Sequence, residues 1–281
     1  MNVNQFGKGC IPQPIDKKDF KLESVASAFI LPEEYSIKDK VGKIKHQDGS
    51  LSCVGQSFAY YAEVLNLIET NQKTELSARD IYSSIFVPEG GAWLRDACKR
   101  LTQSGVAEEV YVSSYLAGKP PTEAYMRLRN DITSDIEENA MTYITKSYVS
   151  WDTTNFETFK RAIYEGNGCV IASYGNNSTW GGSTLSVPLR EDCNWAHATY
   201  CTGWKVINGK EYLEFVNSWG EDWGAKGFGL MPKEYITSGL VFNAWTMVDN
   251  PNNTYSNMKE QIRILTALVE LWKQLIAMFK K

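Results

Sequence analysis

Hydrophobic residues follow different patterns in the two halves of the chain. From Cys53 onward they recur at steps of three, four and three residues, which predicts one face of a long amphipathic helix. The residues of this face are Phe58, Tyr61, Leu65 and Ile68. Two shorter helices are predicted over 77–86 and 91–101. The first half is therefore predicted to be mostly helical.

The second half is rich in β-branched and aromatic residues, which favour strands. Strands are predicted over 143–151, 169–174, 195–207, 212–217, 227–231 and 240–248. A helix over 156–164 interrupts them. Helices followed by strands predict an α+β chain with two lobes, and a cleft between the lobes is the expected place for a functional site.

The first 34 residues contain several helix-breaking residues among polar ones, which favours an extended arm on the surface. The breakers are Gly7, Gly9, Pro12, Pro14 and Pro32. We treat 1–31 as an N-terminal extension and 32–248 as the main domain.

The last residues carry a second amphipathic pattern. After a linker at 249–256, apolar residues in 257–281 form two adjacent seams at helical spacing, which make a wide apolar face. Such a helix is expected to dock on its own domain, to build a homo-oligomer, to hold another partner, or to lie on a membrane with Lys273, Lys280 and Lys281 at the headgroups. We favour self-association or an external partner.

Composition narrows the classes of function. The 281 residues include 29 basic and 33 acidic ones, a formal charge of -4, so no basic footprint for nucleic acid exists. The sequence contains neither an apolar run of spanning length nor an apolar stretch typical of a secretory signal. The expectation is a protein that is cytoplasmic or released by a non-classical route.

Candidate chemistry centres on a few residues. The chain has six cysteines and two histidines, and no C-x-x-C pair typical of a zinc site, so neither a metal nor an organic cofactor is expected. Cys53 stands at the predicted start of the long helix, where unpaired N–H groups favour a thiolate. Most cysteines are inert core residues. His197 and Asn217, however, supply a base and a group that orients it.

At these motifs the chain resembles papain-like cysteine peptidases. The resemblance covers about 32–248 and is carried by C-V-G-Q-S-F-A from Cys53, W-A-H-A-T-Y around His197 and N-S-W-G from Asn217. It implies a two-lobed α+β fold, with a helical lobe, an antiparallel sheet or barrel lobe and the active-site cleft between them. It also implies a Cys-His-Asn triad, with Gln47 as the oxyanion-hole glutamine.

The resemblance further implies a set of residues that bind substrate. These are Gly90, Gly91, Ala196 and Trp219, of which the glycine pair lines up an extended substrate backbone. Trp219 is also expected to shield the bond between His197 and Asn217 from water.

Some positions depart from the family pattern. Val54 stands where the family usually has tryptophan, and Ser50 where it usually has a disulfide-forming cysteine. We expect the chain to lack the long helical propeptide of the family. We hypothesise that Gly9 to Pro12 lies in the cleft as a short inhibitory pro-segment, with Cys10 available to pair with Cys53. The alternative is a disordered tail with an incidental cysteine.

The positions of His197 and Asn217 constrain the hairpin that joins their strands. In an antiparallel pair, the residue numbers of directly opposite residues add up to a constant. A two-residue turn at Asn208-Gly209 would give a constant for which the side chains of His197 and Asn217 point to opposite faces of the sheet. We therefore predict an odd-length loop such as 205–209, with a β-bulge as the other solution.

The resulting hypothesis is a cysteine endopeptidase that hydrolyses peptide bonds of peptide or protein substrates through a thioester acyl-enzyme. Two alternatives remain. One is a cell-wall peptide hydrolase or transpeptidase that uses the same nucleophile, and the other is a catalytically silent peptide-binding module.

Overall fold

The long amphipathic stretch forms the central helix of the first half. In a computed structural model, which describes residues 3–14, 16, 19, 22 and 30–248, helix α1 spans Cys53–Thr70. Asn71 ends it in the left-handed conformation and donates its N–H to Leu67 O. All residues from Cys53 to Leu65 are buried, so α1 lies inside the molecule over most of its length.

Further helices surround α1 and flank the sheet. They are α2 (Ala78–Ile85), α3 (Leu94–Gln103), α4 (Glu123–Met126), α5 (Ser134–Ala140), α6 (Phe156–Gly166) and α7 (Lys233–Thr237). The helix predicted over 91–101 begins later than predicted, at Leu94. Gly90 and Gly91 adopt positive φ and cannot be part of a helix. The short helices α4, α5 and α7 were not predicted, since four to seven residues give too little periodicity.

The strands form one antiparallel sheet, to which the second half contributes all but the short first strand. Its strands are β1 (Tyr35–Ser36), β2 (Ser147–Ser150), β3 (Cys169–Gly175), β4 (Trp195–Ile207), β5 (Lys210–Val216), β6 (Phe228–Pro232) and β7 (Val241–Val248). The order is β2-β7-β3-β4-β5-β6, and β1 pairs with β4. The predicted α+β fold class is confirmed, and β4 has the predicted bounds.

Two large hydrophobic clusters correspond to the two lobes. One centres on α1, α2 and α3 and reaches β4 through Ala198 and Tyr200. The other lies on the opposite side of the sheet with α6 and α7, and includes Trp180, Trp219 and Trp223. Strand β4 therefore has one face in each core, and its residues near Ala198 lie where the two lobes meet.

The hairpin between β4 and β5 has a register different from the one predicted. Ile207 pairs with Lys210 across a two-residue turn in which Asn208 and Gly209 have φ of 52° and 73°, so the predicted odd-length loop is wrong. A β-bulge at Thr202 then shifts the register by one residue. The bulge was the other solution, and it returns His197 and Asn217 to the same face of the sheet.

The N-terminal arm does not lie freely on the surface, as its composition suggested. Val3, Phe6, Gly7, Gly9 and Cys10 are all buried. The residues packed against them come from both lobes. The linker at 249–256 and the amphipathic segment at 257–281 lie outside the described residues.

Within the described residues, no helix has the combination of length and apolar character needed to cross a bilayer.

Candidate active site

Cys53 is the first residue of α1 and is fully buried at the junction of the lobes. Its Sγ accepts a hydrogen bond from the N–H of Gly9 at 3.4 Å. The backbone N–H of Ala198, the residue after His197, also directs a hydrogen bond at this sulfur. The thiol therefore lies against the strand that carries His197.

His197 and Asn217 are in direct contact. The Nε2 of His197 lies 2.8 Å from Oδ1 of Asn217, and both side chains are fully buried. Because Oδ1 accepts, Nε2 carries a proton in this pair and Nδ1 is the basic nitrogen of the neutral ring. Among the described residues, Nδ1 has no hydrogen-bond partner.

Tryptophan rings surround this pair. The ring of Trp219 lies 4.7 Å from the ring of His197, and Trp180 meets the same imidazole edge-on at 5.6 Å. Trp180 belongs to the segment between β3 and β4, and its indole is fully buried. These rings exclude water from the hydrogen bond between His197 and Asn217, which strengthens it.

Gln47 is held by the chain around Asn217. Its N–H donates to Ser218 O at 2.8 Å, and Ser218 Oγ donates to Gln47 Oε1. Nε2 of Gln47 therefore points away from Ser218. It donates to Gly7 O at 3.0 Å and to Ser50 O at 2.8 Å. Sequence analysis missed Ser218, although its place in N-S-W-G was the available signal.

Tyr60 of α1 connects the two segments that carry these groups. Its hydroxyl donates to Asn217 O at 3.2 Å and accepts the N–H of Lys45, two residues before Gln47. Lys45 in turn forms a buried ion pair with Glu63 at 2.7 Å. The helix thus fixes the positions of Asn217 and Gln47 relative to Cys53.

The N-terminal residues 3–14 occupy the groove between the lobes, and we call them the arm. On one wall, Ala92 N–H donates to Gly9 O at 2.8 Å, and Ile11 N–H donates to Ala92 O at 3.1 Å. On the other wall, Cys10 N–H donates to Ala196 O at 3.4 Å. The arm begins with a 3-10 helical turn at Val3–Gln5 and continues as an extended segment that bonds to both lobes, with an isolated parallel bridge between Cys10 and Ala92.

Glycines permit this close approach. A Cβ on Gly91, whose φ is +82°, would lie 2.2 Å from Gly9 O, and a Cβ on Gly90 would lie 2.3 Å from Leu51 Cδ1. A Cβ on Gly9 would lie only 1.9 Å from Leu51 O. The arm and the groove wall therefore meet backbone to backbone.

Aromatic and cationic groups of the arm lie beside the triad candidates. The ring of Phe6 stacks on Trp219 at 5.1 Å and meets His46 edge-on at 5.7 Å. The ammonium group of Lys8 lies 5.5 Å from the centre of the Trp219 ring. Neither Phe6 nor Lys8 was singled out by the sequence, because only the fold brings them to this place.

The electrostatics favour neutral side chains. Burial raises the pKa of Cys53 to about 11, although the N–H groups of Ala198 and Gly9 lower it. Burial lowers the pKa of His197 to about 3; the bond to Asn217 raises it, and the charge of Lys8 lowers it further. With the arm in the groove, the thiol and the imidazole are therefore both uncharged at neutral pH.

The structure brings all the site residues named from the sequence to one groove. Cys53, His197 and Asn217 lie in its floor, Gln47 beside them, and Gly90, Gly91, Ala196 and Trp219 along its walls. Cys10 and Cys53 are both free thiols. In the described part of the chain, no group of three or more His, Cys, Asp or Glu side chains is arranged to hold a metal ion.

Comparison with known proteins decides the family. The family model described as papain family cysteine protease matches residues 31–247, most of the chain. The chain belongs to the papain family of cysteine proteases. The papain-like fold expected from the motifs is confirmed.

Relatives of this papain-family chain are distant. It is 24% identical over 220 residues to a cysteine protease of Blomia tropicalis, covering 75% of this chain and 64% of that protein. It is 25% identical over 211 residues to an uncharacterized peptidase C1-like protein of Acanthamoeba polyphaga mimivirus, covering 69% of this chain and 66% of that protein. The chain thus spans slightly less than two thirds of the length of both relatives.

Solved structures show the same fold. Xylellain, a cysteine protease from Xylella fastidiosa, superposes with a TM-score of 0.73 at 21% identity, covering 88% of this chain and 97% of that chain. Because the superposition covers 88% of this chain, the two-lobed architecture is shared as a whole.

Proposed function

We propose that this chain is a cysteine endopeptidase that hydrolyses peptide bonds with Cys53 as the nucleophile. The observation that carries the proposal is the 2.8 Å contact between His197 Nε2 and Asn217 Oδ1. This contact fixes the tautomer in which Nδ1 is basic and unpartnered, and so available to the thiol proton. The position of Cys53 at the start of α1 supports the same role, because helix N-termini stabilise thiolates.

In the proposed reaction, Cys53 transfers its proton to Nδ1 of His197 and its sulfur bonds to the carbonyl carbon of the peptide. The negative charge on the carbonyl oxygen is stabilised by Nε2 of Gln47 and the backbone N–H of Cys53. His197 then protonates the leaving amine as the C–N bond breaks, which yields a thioester. Water, deprotonated by His197, attacks the thioester, and the thiol leaves with that proton.

Asn217 and Trp219 act through His197. Asn217 keeps the imidazole in one tautomer and one orientation in both half-reactions, as a third group does in related triads. The tryptophan rings keep water away from the bond between the two side chains. Both are positioning residues, since the reaction needs only sulfur, imidazole and the oxyanion donors at the reacting atoms.

The arm is proposed to keep the enzyme inactive. Gly9 directs an N–H group, not a carbonyl carbon, at Sγ of Cys53, so the arm offers no bond for attack. Gly7 O occupies Nε2 of Gln47, which the reaction needs for the oxyanion. The same residues bury the thiol and the imidazole and so oppose formation of the ion pair. Blocking and deactivation thus come from one set of contacts.

Hydrolysis by a chain with an open groove tests the proposal. Replacing Gly7 and Gly9 together by alanine prevents the arm from seating, because the added Cβ atoms would lie 1.9 Å from Ser50 O and Leu51 O respectively. We call this full-length double variant the opened chain. It is expected to hydrolyse a casein-derived peptide mixture, whereas the wild type is slow.

Two further variants assign the activity. In the opened chain, Cys53→Ala and His197→Ala are each expected to remove hydrolysis while leaving the thermal unfolding midpoint well above the assay temperature. The matched control for the arm is Gln5→Ala in the wild type, since Gln5 is exposed and should leave the arm in place. Hydrolysis that persists in the opened chain without Cys53 would refute the proposed nucleophile.

A further inference from the structure

Arg95 is held by the last residues of the arm and by Asp19, which follows the arm. It lies in the first turn of α3, three residues after the groove-wall residue Ala92. Its Nε and one terminal nitrogen donate to the two carboxylate oxygens of Asp19 at 3.0 and 2.5 Å. The same nitrogen donates to Pro14 O at 2.9 Å, and the Arg95 N–H donates to the side-chain oxygen of Gln13 at 3.0 Å.

The ion pair is largely shielded from water. The side chains of Arg95 and Asp19 are 12% and 10% exposed, and the guanidinium lies 5.8 Å from the centre of the Trp245 ring. A cavity of about 240 Å³ adjoins it, lined by the end of the arm, Asp19, Arg95, residues 150–153 and part of β7. A charge-assisted, two-oxygen contact of this kind is among the strong polar interactions in proteins.

When Pro14 and Asp19 leave the groove, the Arg95 guanidinium loses both of these hydrogen-bond partners. All its hydrogen bonds given above end on Pro14 or Asp19. The other carboxylate in the cavity, Asp152, accepts two bonds from Thr154 in its own turn, at 2.9 and 2.8 Å. The open groove therefore presents a forked donor on one wall beside the aromatic face of Trp245, with Asp152 as a second carboxylate in the same cavity.

We propose that Arg95 is a specificity-determining residue that binds an acidic side chain of the peptide substrate in the open groove. The proposal rests on the proposed peptidase function and adds the substrate class, which is peptides with Asp or Glu at one fixed position a few residues from the cleaved bond. Asp19 takes the place of that carboxylate in the closed chain. The distance between this acidic side chain and the cleaved bond is set by the distance from Arg95 to Cys53. The arm spans the same distance, from Gly9 at Cys53 to Pro14 at Arg95.

The planar guanidinium distinguishes acids from their amides. A carboxylate accepts both N–H groups of the fork, whereas glutamine or asparagine offers a single neutral acceptor. A hydrogen bond between charged groups that are shielded from water corresponds to a rate difference of about tenfold to hundredfold. Lysine and arginine at the same position would be repelled.

Cleavage profiling of the opened chain with Asp19→Ala added tests the inference, because this change removes the carboxylate that occupies Arg95. The Arg95 and Asp152 variants below carry the same change. A degenerate library of short synthetic peptides, sequenced after digestion, is expected to show Asp and Glu enriched at one position relative to the cleaved bond. Matched peptides that differ only by Glu or Gln at that position should then differ in kcat/KM by about tenfold to hundredfold. A neutral peptide in the same assay reports the peptidase activity itself.

Variants of the opened chain assign the preference to Arg95. Arg95→Gln is expected to bring the Glu to Gln ratio close to one with the neutral peptide still cleaved, and Arg95→Glu to favour Lys or Arg at that position. Asp152→Asn is the matched control, because it removes a charge from the same cavity and should keep the acidic preference. Circular dichroism and thermal unfolding verify that each variant is folded.

Two results would overturn the inference. Equal cleavage of the Glu and Gln peptides by the opened chain would do so, as would an acidic preference that survives in both Arg95 variants. Absence of cleavage of every peptide, including the neutral one, would instead overturn the proposed function and this inference with it.

Discussion

The backbone N–H of Gly9 donates a hydrogen bond to Sγ of Cys53 across 3.4 Å. A peptide substrate must present a carbonyl carbon to that sulfur, so the arm fills the groove in a way that the thiol cannot use. The close backbone contact at Leu51 exists because residue 9 has no side chain. Closure of the site thus depends on two glycines and a few hydrogen bonds.

The single substitution Gly9→Ala should release the arm. The added Cβ would lie 1.9 Å from Leu51 O and 2.6 Å from Leu51 Cβ, and a backbone carbonyl cannot move aside cheaply. We expect the rate at which iodoacetamide alkylates Cys53 in the full chain to rise at least about tenfold, which corresponds to about 1.4 kcal/mol. Gln5→Ala should leave the rate unchanged, and an equally slow Gly9→Ala chain would contradict the prediction.

Phe6→Ala should also weaken closure. Phe6 is 4% exposed and stacks on Trp219, and truncating a buried phenylalanine typically costs about 3–5 kcal/mol. The expected result is faster cleavage of the arm by an added protease and a change in tryptophan fluorescence. Ile30→Ala, at a residue that is 97% exposed, is the control for apolar truncation. Unchanged protection in Phe6→Ala would mean that the stacking contributes little.

Asn217→Ala in the opened chain should lower kcat more than it changes KM. The imidazole loses the acceptor that fixes its tautomer. The Ser218 N–H, which donates to the same Oδ1 at 2.8 Å, also loses its acceptor. From other triads, we expect a loss of about two to four orders of magnitude in kcat. Asn217→Gln tests whether the acceptor alone is enough. An unaltered kcat in Asn217→Ala would remove Asn217 from the proposed mechanism.

The buried imidazole should make the closed chain sensitive to acid. The pKa of His197 is about 3 when folded, against 6.5 for the ordinary side chain. Between these values the unfolded chain binds a proton that the folded chain does not, so the contribution to stability is complete above pH 6.5 and falls as the pH decreases.

Urea unfolding at pH 7 and pH 5 measures this contribution. The free energy of unfolding of the wild type is expected to fall by about 2 kcal/mol more than that of His197→Ala over this interval, at about 1.4 kcal/mol per unit. His46 and the carboxylates titrate in both chains, so the difference isolates His197. Equal pH dependence of the two chains would show that His197 is not held neutral by burial.

Long, strongly patterned elements were predictable from the sequence. Strand β4 (Trp195–Ile207) has the predicted bounds, and α1 begins at Cys53 as predicted, because many residues with one period fix an element's type. The hairpin after β4 was predicted less well. The turn at Asn208-Gly209 is the one its residues favour, but the β-bulge at Thr202 restores the facing of His197, and no local residue pattern announces a bulge there.

The candidate site was predictable as a set of residue types but not as an environment. The motifs pointed to Cys53, His197, Asn217 and Gln47, whereas the contacts of Trp180 and Arg95 depend on the tertiary fold. The same holds for the arm. Its glycines and prolines predicted extended chain, but its burial depends on a groove that forms from residues far along the sequence.

Labelling by an epoxide probe tests the central claim most directly, because it reports whether His197 activates Cys53. In the opened chain at neutral pH, we predict rapid labelling of one site that is lost in Cys53→Ala and at least about tenfold slower in His197→Ala, with the wild type slow because its arm is seated. Labelling of Cys53 at the same rate with and without His197 would contradict the account.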